Sequence, residues 1–322
     1  MDPLTLLVVA DPTTRSLALL ERLPQSTHLV VGDSAEAFAE AAPRADAILH
    51  AWGKREALEA AFRMAPQVRW VHSLTAGVEG ILFPELVASA VPLTNSRGVF
   101  RRSLAEFAIG AVLFFAKGFR RMVKSQEAGV WDPFDIEEIH GQRLGIVGYG
   151  EIGRYTARLA HGLGMKVSAL RRRPELSEAD PHVEKMLAAE ALEELLAESD
   201  YVLVSIPLAP ATRGLIGARE LRVMKSSAVL INVGRGPVVV EEALVAALQE
   251  NRIRGAALDV FDQEPLAEGH PFYRLANVLL SPHCADHTSD WRELAMLYFV
   301  ENFGRFASGQ PLENVVDKKL GY

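Results

Sequence analysis

Residues 143–163, RLGIVGYGEIGRYTARLAHGL, decide how the rest of the chain is read. A short apolar run, LGIV, meets glycines spaced G-x-G-x-x-G at Gly148, Gly150 and Gly153, and an amphipathic stretch follows at once. That order predicts a strand, a tight turn and a helix. In such a turn the first glycine makes the bend, the second lets backbone approach a pyrophosphate, and the third lets helix and strand pack closely. Phosphates then lie at the positive end of the helix. A glycine turn can serve packing alone, but a second strand-like run, MKVSAL, stands at the distance a dinucleotide site requires. The expected cofactor-binding backbone is Tyr149, Gly150, Glu151, Ile152 and Gly153.

The second strand ends in VSALRRRP, residues 167–174. About 20 residues after the turn, an NAD site places a carboxylate on the adenosine ribose. Here Leu170, Arg171 and Arg172 hold that place, and Arg173 follows. A carboxylate would repel a 2′-phosphate, whereas guanidinium groups bind it with charge-assisted, often bidentate hydrogen bonds. A merely solvated basic turn is the plain alternative, but the missing acid and the gained bases point the same way, so NADP is expected over NAD. Pro174 limits the turn.

Working outward, LTLLVVA, HLVV, DAILHA, VRWVHSL and VPLTN precede the motif, with helix-like patterns from Thr13, Ala35, Arg55 and Val78 between them. After the motif come YVLVSI, AVLINV, GAALDV and NVLLS, with helices expected near 151–163, 190–197 and 237–250 and a last one from Ser289 to Ala307. Continuous rather than alternating apolarity predicts strands covered on both faces, hence parallel α/β sheets. Between the two series lies SLAEFAIGAVLFFAKGFRRMVKSQEAG, expected as one long helix apolar enough to pack between bodies, then a polar connector, WDPFDIEEIHGQ.

The totals exclude several classes. A chain of 322 residues, 49% hydrophobic, can fill two cores and is not disordered. Net charge of −7 gives no general attraction to nucleic acid or anionic membranes. Asp2 stands where a signal peptide carries positive charge, and the longest uncharged apolar stretch, FAIGAVLFFA, is half of the roughly 20 residues of a membrane span. The single cysteine, Cys284, forbids an internal disulfide and a cysteine-based metal site. A soluble, cytoplasmic protein without a metal is expected.

In a doubly wound sheet the ligand lies at the carboxyl ends of the strands. Arg235 follows AVLINV, Glu264 follows GAALDV and His283 follows NVLLS, each in a turn shaped by glycine or proline. Singly they have dull explanations, but together they form a candidate site.

With those residues goes a set of motifs: GYGEIG, VSIPLAPATRGLIG, INVGRGPVV, ALDVFDQEP, SPHCADHT, AGVEGI and NSRGVFRRSLAEFAIG. By them the chain resembles, nearly end to end, the D-isomer-specific 2-hydroxyacid dehydrogenase family. The resemblance implies two doubly wound parallel-sheet domains. A flavodoxin-like substrate domain would comprise 1–102 plus 290–322, and a Rossmann NAD(P)-binding domain, 103–289, would be inserted into it. It also implies a homodimer through the helices near 102–129.

The resemblance makes Arg235, Glu264 and His283 the catalytic arginine, glutamate and histidine. It implies cofactor contacts from Pro207, Thr212, Val233, Gly234, Asp259 and Ala285, and a carboxylate-binding loop at Ala76 and Gly77, with Arg235 and His283 also touching substrate. Cys284 reads as a small wall residue, and His72, His140 and His287 as structural or surface groups. The absence of a long tail and the arginines at the ribose position are most like NADP-preferring glyoxylate/hydroxypyruvate reductases, which reduce a small 2-oxo acid. Two other readings stay open. One is an NAD-dependent dehydrogenase of a bulkier D-2-hydroxy acid, with Trp131, Phe134, Trp291 and Tyr298 as core or pocket aromatics. The other is a dinucleotide-sensing corepressor.

Overall fold

Strand residues with apolar side chains on both sides must be covered on both faces, and the sheets follow from that requirement. The computed structural model describes residues 3–177 and 179–321; Met1, Asp2, Glu178 and Tyr322 lie outside it, so the signal-peptide reading of Asp2 has no structural counterpart. The chain divides into two units, one of residues 1–100 and 288–322 and the other of Arg101–His287.

In the first unit β1 (Thr5–Val9), β2 (His28–Gly32), β3 (Ala47–His50), β4 (Trp70–Ser73) and β5 (Leu93–Asn95) form a parallel sheet in the order β2-β1-β3-β4-β5. The C-terminal helix Trp291–Ala307 belongs here because its aromatic side chains meet Trp70: Phe299 stacks on the indole at 5.5 Å, and Phe306 lies 5.1 Å away. The tail continues this tie, with the Val316 amide donating to Leu93 O at 2.8 Å. The pattern from Thr13 becomes the 3-10 helix Arg15–Arg22, and the helix expected from Val78 begins only at Pro84.

The second unit holds β6 (Arg143–Val147), β7 (Lys166–Leu170), β8 (Lys185–Leu187), β9 (Tyr201–Val204), β10 (Val229–Asn232), β11 (Gly255–Leu258) and β12 (Val278–Leu280), all parallel, in the order β12-β11-β10-β9-β6-β7-β8. Side chains alternate between two cores. Leu144, Ile146, Tyr201, Leu203, Val229 and Ile231 pack toward helices Arg101–Ala116 and Glu151–Gly162. Val202, Val204, Leu230 and Leu258 pack toward helices Leu192–Glu198, Ala218–Val223 and Glu241–Gln249. Each buried aliphatic side chain contributes about 2 kcal/mol.

The long helix expected after Ser103 is broken. Arg101–Ala116 ends, Gly118 takes φ +64°, and Phe119–Glu127 starts afresh. A Cβ on Gly118 would meet the Phe134 ring at 2.7 Å, so backbone geometry and packing both select glycine. The first helix is greasy and buries seven residues, whereas the second buries none and leaves Phe119, Met122 and Val123 exposed. Trp131, expected in a core or pocket, is 95% exposed within this unit. Among the described residues no helix is long and apolar enough to cross a membrane.

Candidate active site

The carboxyl ends of β6, β7 and β9 to β12 bring together the residues singled out in the second unit. At the glycine turn, Gly148 has φ +103°, and a Cβ on Gly153 would stand 2.5 Å from Gly148 O. Gly150, by contrast, faces open space, with nothing within 4 Å of where its Cβ would be. The helix Glu151–Gly162 has no side-chain cap, which leaves its first amides to an anion. Glycines crowded on both sides of an open one, before an uncapped helix, fit a dinucleotide's phosphates. Tyr149 has only backbone to offer a ligand: its side chain is 2% exposed, and burial first, then neighbouring Asp180, push its phenol far above the ordinary value.

At the end of β7 the Arg171 amide donates to Leu187 O at 3.0 Å and its guanidinium is bonded to Ser177 Oγ. Arg172 and Arg173 are exposed on the same turn, and no carboxylate occupies positions 170–173. After β9, Thr212 Oγ1 donates to Pro207 O at 2.7 Å and accepts the Ala209 amide at 2.8 Å, closing that loop on itself.

Asn232, which sequence reasoning passed over, shapes the turn after β10. Its Oδ1 accepts the Gly234 amide at 3.0 Å and its Nδ2 donates to Arg235 O at 3.1 Å. Val233 is buried, and Arg235 Nη1 donates to Gly234 O at 2.8 Å. Gly236 was also missed: a Cβ there would overlap the carbonyl of Phe261, so the turn after β10 presses directly on the loop after β11.

Asp259 is 1% exposed, and one oxygen organises the loop after β12. Oδ1 accepts Ser281 Oγ at 2.5 Å and the Cys284 and Ala285 amides at 3.0 Å each. This grip holds His283 in the left-handed region at φ +50°. Cys284 is thus tied through its backbone, and its thiol is exposed.

Glu264 Oε1 accepts the Phe261 amide at 2.9 Å, leaving Oε2 2.6 Å from His283 Nδ1. The hydrogen bond to Glu264 raises His283 above its ordinary value against the opposing effect of burial; Asp259 adds to the rise and Arg235 opposes it. Burial works to raise Glu264, but its bonds to His283 and Phe261, with the pull of His283 and Arg235, hold the carboxyl below the usual range. Burial raises the nearby Asp286 carboxyl. The pair therefore favours an imidazolium with Nε2 directed away from the carboxylate, a proton donor beside a guanidinium.

In the first unit, the loop after β4 holds Ala76 and Gly77. Asn95 Nδ2 donates to Ala76 O at 2.5 Å and Thr75 Oγ1 to Gly77 O at 2.6 Å, so both carbonyls are engaged while the two amides have no partner among the described residues. His72 is fully buried against Thr94, and His140 and His287 are exposed. Among the described residues no cluster of three or more His, Cys, Asp or Glu could hold a metal.

Comparison with known proteins agrees with this geometry. A family model described as D-isomer specific 2-hydroxyacid dehydrogenase, NAD binding domain, matches residues 109–285. A glyoxylate reductase of Thermococcus gammatolerans is 35% identical over 270 residues, 80% of this chain and 79% of its own. Glyoxylate/hydroxypyruvate reductase B of Yersinia enterocolitica is 33% identical over 297 residues, 89% of each chain. A D-isomer specific 2-hydroxyacid dehydrogenase of Xanthobacter autotrophicus, solved in complex with NADPH and MES, is 30% identical and superposes with TM-score 0.84 over 100% of both chains.

Proposed function

Because the chain belongs to the D-isomer-specific 2-hydroxyacid dehydrogenase family, we propose that it reduces a small 2-oxo acid, glyoxylate, hydroxypyruvate or a close relative, to the D-2-hydroxy acid with NADPH. The observation that carries this reading is the 2.6 Å bond between His283 Nδ1 and Glu264 Oε2 at the carboxyl ends of the sheet that also bears the glycine turn.

When bound, the cofactor supplies the hydride. His283, kept protonated by Glu264, donates the proton to the 2-oxo oxygen from Nε2. Arg235 offers a planar fork to the substrate carboxylate and the 2-oxo oxygen, orienting the carbonyl and stabilising the negative charge that develops on it. The unpartnered amides of Ala76 and Gly77 are assigned to the carboxylate as well. Backbone from Tyr149 to Gly153 holds the pyrophosphate, and Arg171, Arg172 and Arg173 receive the 2′-phosphate. Pro207, Thr212, Val233, Gly234, Asp259 and Ala285 flank the nicotinamide half.

In this reading 103–289 is the cofactor domain and 1–102 with 290–322 the substrate domain. The enzyme is cytoplasmic and a homodimer through the helices near 102–129; the exposed Phe119, Met122 and Val123 support the latter. The NADPH and NADP complexes of the relatives from Xanthobacter autotrophicus and Sinorhizobium meliloti support the cofactor.

Initial rates with glyoxylate, hydroxypyruvate, pyruvate and phenylpyruvate, each with NADH and NADPH, test the proposal. Arg172→Asp should lose NADPH use about a hundredfold, the value of two charge-assisted contacts at a partly exposed site, while NADH use stays within about threefold. Equal losses with both cofactors would mean that the arginines do not select the phosphate. Oxidation of D-glycerate with NAD as efficient as reduction of hydroxypyruvate with NADPH would defeat the assigned direction.

A further inference from the structure

Behind the loop that carries Glu264 stands an acid–histidine pair to which the chemistry above gives no role. Glu241 opens the helix Glu241–Gln249. Its Oε2 accepts the Asp262 amide at 3.2 Å, and its Oε1 lies 3.1 Å from His270 Nε2. His270 Nδ1 accepts the Phe272 amide at 3.3 Å, so this nitrogen is unprotonated and Nε2–H donates to the carboxylate. The two side chains are only 17% and 20% exposed, a protected pair rather than a solvated one. Asp262 lies between Phe261, whose amide holds Glu264 Oε1, and Glu264 itself. The loop is thus pressed by Gly236 and tethered by Glu241.

We propose that Glu241, oriented by His270, is a positioning residue for proton transfer: by fixing the Asp262 amide it keeps Glu264 within a short hydrogen bond of His283. The proposal rests on the reading of the site given above. A 2.6 Å charge-assisted bond weakens steeply as its partners misalign, so small freedom in this loop loosens the hold on the imidazolium. Among the described residues the charged groups that face His283 are Glu264, Asp259, Arg235 and Asp286, and substituting Glu241 removes none of these charges.

The test compares Glu241→Ala, Glu241→Gln and, as control, Glu242→Ala. Glu242 is the exposed neighbouring acid of the same first helical turn, so its loss matches the helix-dipole effect without touching the loop. Glu241→Ala is expected to lower kcat for 2-oxo acid reduction about threefold on the alkaline limb, the net worth of one ordinary hydrogen bond and less than removing the Glu264 charge itself, with KM nearly unchanged. The alkaline limb of its pH profile should move to lower pH. Glu241→Gln, which retains an acceptor for the Asp262 amide, should recover most of the rate, and Glu242→Ala should match the wild type.

Imidazole NMR titration of the cofactor-free proteins, with His283 assigned by its loss in His283→Asn, gives the independent reading: the midpoint should fall in Glu241→Ala alone. An unmoved His283 midpoint in a folded Glu241→Ala protein overturns the proposal, as does an equal shift in Glu242→Ala. A wild type that turns over no 2-oxo acid defeats the proposed function instead, and the titration still decides this point.

Discussion

Glu264→Gln removes the charge that faces His283 while keeping the shape of the side chain. The bond is 2.6 Å long and the side chains are 44% and 34% exposed. Two unit charges centred roughly 4 Å apart attract by about 4 kcal/mol at the effective dielectric of a protein surface and by about 1 kcal/mol in water. At this exposure the watery limit weighs more, and the amide keeps a neutral hydrogen bond, so the loss discounts to about 1.4 kcal/mol, or tenfold in the ratio of imidazolium to imidazole. Reduction needs the imidazolium. Because Glu264 raises His283, the wild type keeps its proton donor to higher pH, and the variant loses it sooner. At pH below both midpoints the two proteins should reduce glyoxylate at similar rates; on the alkaline limb the variant should be about tenfold slower. Oxidation needs the neutral ring, so its acid limb should also move to lower pH, favouring the variant there. Initial rates in both directions across pH, read from nicotinamide absorbance, decide the matter. A uniform loss at every pH, or limbs that stay in place, would refute the claim that the Glu264 charge acts through His283.

Other outcomes follow from the packing. Gly236→Ala places a methyl group against the Phe261 carbonyl and must displace the loop bearing Glu264. It should cost about 3 kcal/mol in urea unfolding and most of kcat; a variant with wild-type stability and kcat would show that the contact relaxes freely. His72, fully buried, is pushed down to about 3 from 6.5 by burial. The unfolded chain therefore takes up a proton that the folded chain refuses, and stability falls as pH drops through that window, by up to about 1.4 kcal/mol per pH unit. Urea titrations of His72→Gln at stepped pH should show a shallower dependence, and identical slopes would assign the acid loss to other groups.

The strand-turn-helix at 143–163 and the polar residues at strand ends were legible because each is a local pattern: unbroken apolarity for strands buried twice, glycine where backbone must bend or approach. β8 was not legible, since KML at an edge carries too few apolar residues to stand out. The break at Gly118 hides inside an apolar run because a lone glycine can end a helix or sit within one, as Gly110 does in Arg101–Ala116; it is the approach of Phe134 that leaves no room for a side chain. Asn232 and Gly236 act through contacts made only after the turns are folded, Gly236 against a loop 25 residues later in sequence. The fold's pairing of the two termini likewise rests on Trp70 meeting Phe299, which no local period announces.

The strand order of the second unit, β12-β11-β10-β9-β6-β7-β8, has a consequence for how such a protein can change. The turn and arginines expected to take the cofactor hang from β6 and β7, whereas Arg235, Glu264 and His283 hang from β10, β11 and β12, on the other side of β9. Among the described residues, Arg171 bonds to Leu187 and Ser177, Glu264 to Phe261 and His283, and Asp259 to the loop after β12, each on its own flank. Substitutions that retune which dinucleotide is accepted can therefore accumulate on one flank without disturbing acid–base geometry on the other. Currency and chemistry are separately editable in this sheet, and mutations from opposite flanks should combine additively.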